Sequence, residues 1–211
     1  MAIIFLIQIN IKKNLKKLKK KVIFISNAPR KSKKIKEFLK KLGLRNNLYF
    51  DVITSGDIAH QSYLLKLKKK KYFFIGANKD NDFCESLNIT REKKLIESDF
   101  ILNLGLNFGE TVNNYNRILK QAAKLKLPMI CVNPDIEVIR GKRKEICAGA
   151  LALKYENFGG KVKYYGKPYK KIYQESFNRI KSINKKKILA IGDSIRTDIL
   201  GAKNFSIDSA L

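Results

Sequence analysis

Three polar clusters each follow an apolar run, and their side chains are of the kinds that handle phosphate and a hard cation. The first, Ser26–Asn27, closes the run Val22–Ile25. A hydroxyl and an amide can both donate to a phosphoryl oxygen, and a helix starting just downstream adds main-chain donors and a positive dipole end. The second is Gly166-Lys167-Pro168. Gly leaves room, Pro fixes the start of a helix, and a Lys at a strand end can neutralise a phosphoryl group or a carboxylate. The third is the string from Gly192 to Ala202, where Asp193 and Asp198 flank a tight loop. Mg2+ takes one or two carboxylates and leaves the rest of its octahedron to water and substrate. Each cluster also has a plainer reading. Ser-Asn after a strand makes an ordinary turn, Lys167 is one lysine among many, and Thr197–Asp198 suits the N-cap of the next helix.

The clusters matter only if the chain brings them to one place. Apolar runs at 22–26, 49–55, 71–77, 99–106, 128–135 and 187–194 read as strands. Helical spacing puts Ile35, Phe38, Leu39 and Leu42 on one face of 31–42, and Tyr115, Ile118, Leu119, Ala122 and Leu125 on one face of another helix. Residues 143–154 are expected as a helix, and Pro168 is expected in the first turn of a helix that turns Ile172, Phe177 and Ile180 inward. Strands alternating with helices imply an α/β fold of parallel sheets with right-handed crossovers. Ligands of such sheets sit beyond the carboxyl ends of the strands, where the three clusters fall.

The 211 residues carry a net charge of +27. One reading is a polyanion partner. The other is biased composition, since Lys dominates Arg and the runs at 12–21, 65–71 and 184–187 lie beside expected elements, where solvated charge belongs. Nucleic-acid readers favour Arg with interleaved aromatics, which these runs lack, so nucleic acid is not favoured as a partner. No apolar stretch reaches the length of a membrane span, which argues against a membrane partner. The run AIIFLIQI at 2–9 is short and its charge follows it, unlike a signal peptide. Cys84, Cys131 and Cys147 have no metal-ligand spacing and fit reduced thiols in a cytoplasmic protein. The sequence leaves the oligomeric state open, a homo-oligomer included.

VIFISNAPR, GKPYKKIY and AIGDSIRTDILGA, in this order, resemble motifs two, three and four of the haloacid dehalogenase-like (HAD) hydrolases. LNLGLNFGETVNNYNRIL, ICVNPD and CAGALALKYENFGGKVKYYGKPY resemble its class IIA branch, which includes sugar-phosphate, nitrophenyl-phosphate and pyridoxal-phosphate phosphatases. The resemblance implies a Rossmann-like core at 1–57 and 161–211 with an inserted α/β cap at 58–160. It also implies Mg2+-dependent hydrolysis of a small phosphorylated metabolite through a phospho-aspartate. Ser26 and Asn27 would hold the phosphoryl group, Lys167 would balance charge, and Asp193 would ligate Mg2+ with Asp198 in support. Asn133 and Asp135 would face the core from the cap and help choose substrate, although Asn-Pro-Asp is equally a plain turn.

One motif of the family has no counterpart. Its first strand ends in Asp-x-Asp-Gly, whose carboxylates attack phosphorus and protonate the leaving group, whereas no Asp precedes Asp51 here. The nearest strand-like run, 2–9, offers Gln8 and Asn10, and an amide cannot form the phospho-enzyme. The spacing to Ser26 is also short, and the chain stops soon after motif four, so against the family it reads as truncated at both ends. The 2–9 run, with 12–21 as crossover helix, could fill the first strand's slot by pattern, which would serve folding but not catalysis. The expected outcome is negligible Mg2+-dependent hydrolysis of p-nitrophenyl phosphate by the chain as given; robust turnover that disappears in Asp193→Asn would refute this account.

Overall fold

In the computed structural model, residues 20–141, 143–180 and 184–211 are described. The strand expected at 2–9, with Gln8 and Asn10, and nearly all of the crossover helix expected at 12–21 lie outside them. Along the chain the elements are β1 (Ile23–Ser26), α1 (Ser32–Lys41), β2 (Asp51–Thr54), α2 (Ser55–Ser62), β3 (Lys70–Ile75), β4 (Ile89–Glu92), β5 (Phe100–Asn103), α3 (Asn116–Lys124), β6 (Met129–Cys131), β7 (Glu137–Arg140), β8 (Arg143–Ile146), α4 (Ala148–Asn157), β9 (Val162–Tyr164), α5 (Lys170–Arg179), β10 (Leu189–Ile191), α6 (Leu200–Phe205) and β11 (Asp208–Ala210). They divide into two compact units, Met1–Ile58 with Gly166–Leu211, and Ala59–Tyr165.

The first unit holds two parallel pairs, β1 with β2 and β10 with β11. Its best-defined core packs Phe24 and Val52 of the first pair against Ile35 and Leu39 of α1, with Leu44 beyond. Ile35 and Leu39 are one turn apart, so a single face of α1 is buried while its lysines stay in water. Burying each such side chain contributes about 1.5–3 kcal/mol. The helix has no acidic residue in its first turn. Instead the Asp57 carboxylate accepts the Ser32 N–H at 3.1 and 3.2 Å, supplying the missing negative charge at the positive end. At the far end, Gly43 (φ +81°) lets the chain turn away. Asp51 ties β2 to both flanking helices through Lys36 of α1 at 2.7 Å and Arg179 of α5 at 3.3 Å. Burial works against its charge, but the Lys36 ammonium, the Val52 N–H and the Arg179 guanidinium together hold its carboxyl below the usual range.

The second unit is built on a parallel sheet of order β4-β3-β5-β6-β9. Its central strand β5 is buried at all four positions, as expected of a sheet covered on both faces. Ile75, Ile101 and Met129 pack against Leu119 and Ala122 of α3 and Leu151 and Tyr155 of α4. The buried Asn103 is satisfied: its amide donates to the Ala148 carbonyl at 3.0 Å and accepts the Gly105 N–H at 3.2 Å.

Two expectations are corrected. Residues 143–154 do not form one helix, because 143–146 is β8, paired antiparallel with β7, and the helix begins at Ala148. Gly141 (φ +62°) allows the reversal between the two strands. The charged run Arg143-Lys144-Glu145 lies in this ribbon, paired with Arg140, Ile139 and Val138, rather than on a helix face. Pro168 precedes the N-cap, Tyr169, instead of occupying the first turn. The short strands β4 and β9 and the helix α2 carry too few apolar residues to stand out in the sequence.

Ile101 is fully buried at the centre of the second unit's sheet. Ile101→Ala should lower stability by about 2–5 kcal/mol, read as a fall in the urea midpoint of the far-ultraviolet circular dichroism signal.

Candidate functional site

The loop after β1 is fixed before any ligand arrives. Ser26, the last residue of β1, is 2% exposed, and its Oγ accepts the Ala28 N–H at 3.1 Å. The Ala28 carbonyl in turn accepts the Ser55 hydroxyl at 2.8 Å. A hydroxyl that accepts through its oxygen still has its proton to donate.

Lys167 follows Gly166, which sits at φ +129°, and precedes Pro168 across a cis peptide. The Tyr169 N–H closes a turn on the Gly166 carbonyl at 2.9 Å. Asn27 grips this turn with both ends of its amide. Its Oδ1 accepts the Lys167 N–H at 2.6 Å and its Nδ2 donates to the Lys167 carbonyl at 3.1 Å. The side chain of Lys167, itself buried, reaches Asp198, with Nζ 2.7 Å from Oδ1.

The Gly192–Asp198 loop is ordered around Ser194. Its Oγ accepts the Thr197 N–H at 3.3 Å, and its own N–H donates to Asp198 Oδ2 at 3.3 Å, a reciprocal cap. Ser194 is thus the N-cap, not Thr197 or Asp198 as the sequence suggests. Both the Asp198 and Ile199 N–H groups reach the Ser194 carbonyl, at 2.8 and 3.2 Å, so the turn is π-helical, a form found often at functional sites. A side chain on Gly192 would collide with Asp198, so glycine is required for this close approach.

Hydrogen bonds therefore link the Ser26–Asn27 loop to Lys167, Lys167 to Asp198, and Asp198 to the backbone beside Asp193. The Asn27 side-chain amide engages the main chain of Lys167, a contact the sequence did not suggest. Asn133 and Asp135 lie in the second unit, where Asn133 Oδ1 accepts the Asp135 N–H at 3.0 Å in an Asx turn. Sequence reasoning missed Ser194 and Tyr173. The Ser194-x-x-Thr197 spacing could have flagged the first; the second has no local signature.

The carboxylates differ in availability. Asp198 is buried with both oxygens bonded, to Lys167 and to Ser194. Asp193 is exposed, and no described residue bonds its carboxylate. Among the described residues no group of three or more His, Cys, Asp or Glu could cage a metal. One free carboxylate fits a cation such as Mg2+, which draws most of its ligands from phosphate and water.

Two family models match the chain, a haloacid dehalogenase-like hydrolase family at residues 9–90 and a HAD-hydrolase-like family at 164–211. A solved hydrolase of the haloacid dehalogenase-like family from Brucella suis 1330 is 30% identical, with a TM-score of 0.89, over 95% of this chain and 78% of that one. A possible sugar phosphatase of the HAD superfamily from Cytophaga hutchinsonii ATCC 33406 is 23% identical, with a TM-score of 0.80, over 96% and 76% of the two chains. A glycerol phosphate phosphatase from Mycobacterium tuberculosis, solved with magnesium, is 19% identical, with a TM-score of 0.72, over 95% and 61%. The latter two share the fold. No curated protein matches the chain.

Breaking a buried ion pair strands a charge, whereas replacing both partners by apolar groups does not. Lys167→Met should cost about 3–5 kcal/mol, and the double variant Lys167→Met, Asp198→Leu should recover most of it. Denaturant unfolding of the two proteins checks this; a double variant no more stable than the single one would show that the pair is not the source.

Proposed function

The chain belongs to the haloacid dehalogenase-like hydrolases, and from that premise we propose that its first unit binds the phosphoryl group of a small phosphorylated metabolite. By descent it is a Mg2+-dependent phosphoric monoester hydrolase of the class IIA type. The second unit is its cap, with Asn133 and Asp135 on the loop that helps select substrate. The observation that carries this reading is the Lys167 ammonium, held by Asp198 in a buried position while Asn27 fixes its main chain. A cation so placed is preorganised for an anion.

Each residue then has a task. Ser26 donates its hydroxyl proton to a phosphoryl oxygen. Lys167 has three N–H donors; one is committed to Asp198, and the others would donate to the phosphoryl group. Asn27 keeps the Lys167 turn in register with Ser26. Asp193 would hold Mg2+, which when bound offsets the negative charge of the phosphate. No Asp precedes Asp51 to act as the nucleophile of the family's covalent step, so this reading is one of phosphate binding with negligible turnover by the sequence as given. A cytoplasmic setting goes with this reading, since the three buried cysteines are in no disulfide. No described helix is long and apolar enough to cross a membrane.

Titration calorimetry with inorganic phosphate and Mg2+ tests the proposal against the alternative of a diffuse polyanion surface. A specific pocket should lose about tenfold in affinity in Ser26→Ala and respond weakly to salt. A polyanion surface would ignore Ser26 and lose about a thousandfold or more towards polyphosphate between 50 and 200 mM salt, and that result would displace the pocket reading.

A further inference from the structure

Tyr173 is the fourth residue of α5, the helix that Lys167 leads into, and it is buried. Its hydroxyl donates across to the π-helical turn, 3.3 Å from the Thr197 carbonyl and 3.1 Å from the Asp198 carbonyl. A π-helical turn departs from the regular ladder, so an outside donor that holds two successive carbonyls fixes its path. The ring stacks on Phe205 of α6, with centroids 6.0 Å apart and planes 26° apart. Gly201 makes this possible, because any side chain there would collide with the Tyr173 hydroxyl and ring. Burial, with the Asp198 carboxylate nearby, pushes the Tyr173 hydroxyl above the usual tyrosine range, so it remains a donor at neutral pH.

We propose that Tyr173 is the positioning residue of the Asp193–Asp198 loop. Its hydroxyl locks that loop's main chain to α5, the helix that Lys167 leads into. The cation ligand Asp193 and the phosphate ligand Lys167 are thereby held in one fixed geometry. The inference rests on the phosphoryl-binding reading above and adds to it the coupling between the cation and the anion. Phenylalanine at 173 would keep the stacking and remove only the lock, so Tyr173→Phe separates positioning from packing.

The experiment is calorimetric titration of inorganic phosphate, with and without Mg2+, into the wild-type chain and Tyr173→Phe. In the wild type Mg2+ should tighten phosphate binding. In the variant, Mg2+-free affinity should stay within about twofold, while the Mg2+-dependent gain should shrink about three- to tenfold, the loss of one hydrogen bond. Hydrogen exchange should rise over 194–200 and stay unchanged over 170–179. An undiminished Mg2+ gain in Tyr173→Phe, or equal weakening with and without Mg2+, would leave Tyr173 a packing residue and overturn the proposal. Absence of phosphate binding in the wild type would overturn the underlying reading, and this proposal with it, and is told apart because it needs no variant.

Discussion

A buried ammonium must be neutralised where it stands, and that requirement organises the first unit. Lys167 is removed from water, and only the Asp198 carboxylate 2.7 Å away makes its burial tolerable. The pair in turn dictates its surroundings. Gly192 must lack a side chain for Asp198 to approach, Ser194 must satisfy the second carboxylate oxygen, and Asn27 must hold the turn that aims Lys167 inward. None of these residues is spare. Ser194 and Asn27 are each the partner of a polar group that would otherwise be buried alone, the condition under which a low-dielectric interior is most destabilising.

The second unit is organised by the opposite principle. One face of its sheet is closed by the apolar packing of α3 and α4, and the buried Asn103 satisfies neighbouring backbone. Its Asn133–Pro134–Asp135 loop is stiffened from two directions, by the Asx turn within it and by Gly149 of α4, whose N–H donates to the Asp135 carbonyl at 3.0 Å. A side chain at 149 would strike the carbonyls of Pro134 and Asp135, so helix and loop touch backbone to backbone. The charge of the chain is a separate layer. Lysines line the solvent side of α1, and several elsewhere stack over aromatic faces, as Lys163 does over Tyr63 at 4.3 Å and Lys185 over Phe205 at 3.7 Å.

How much of this could be read from the amino acids depended on whether the partner was a side chain or the backbone. The strands with continuous apolar runs, β1, β3, β5 and β6, announced themselves, as did α1 and α3 through their periodic faces. Lys167 and Asp198 entered the reading only through the resemblance of their motifs to those of the family, because a lysine in so basic a chain and an aspartate at a helix start each have a plainer explanation. The task of Asn27 was not legible, because its partners are the N–H and carbonyl of a residue 140 positions away, and backbone groups carry no sequence signal. Tyr173 was hidden for the same reason. The ribbon at 137–146 was mistaken in part for helix because its alternation is carried by lysine, arginine and glutamate, which suit either form.

The clasp between Asn27 and Lys167 also closes a very long loop, since residues 59–165 fold as their own compact unit in between. Loop-closure entropy rises by only about 0.6 kcal/mol for each doubling of length, so the size of what is threaded through that opening matters little to the strength of the clasp. Order of assembly matters more. The inserted unit is continuous and can collapse as soon as residue 165 has left the ribosome. The discontinuous one must keep β1, β2 and α1 waiting, with Asn27 unsatisfied, until the last fifth of the chain has been made.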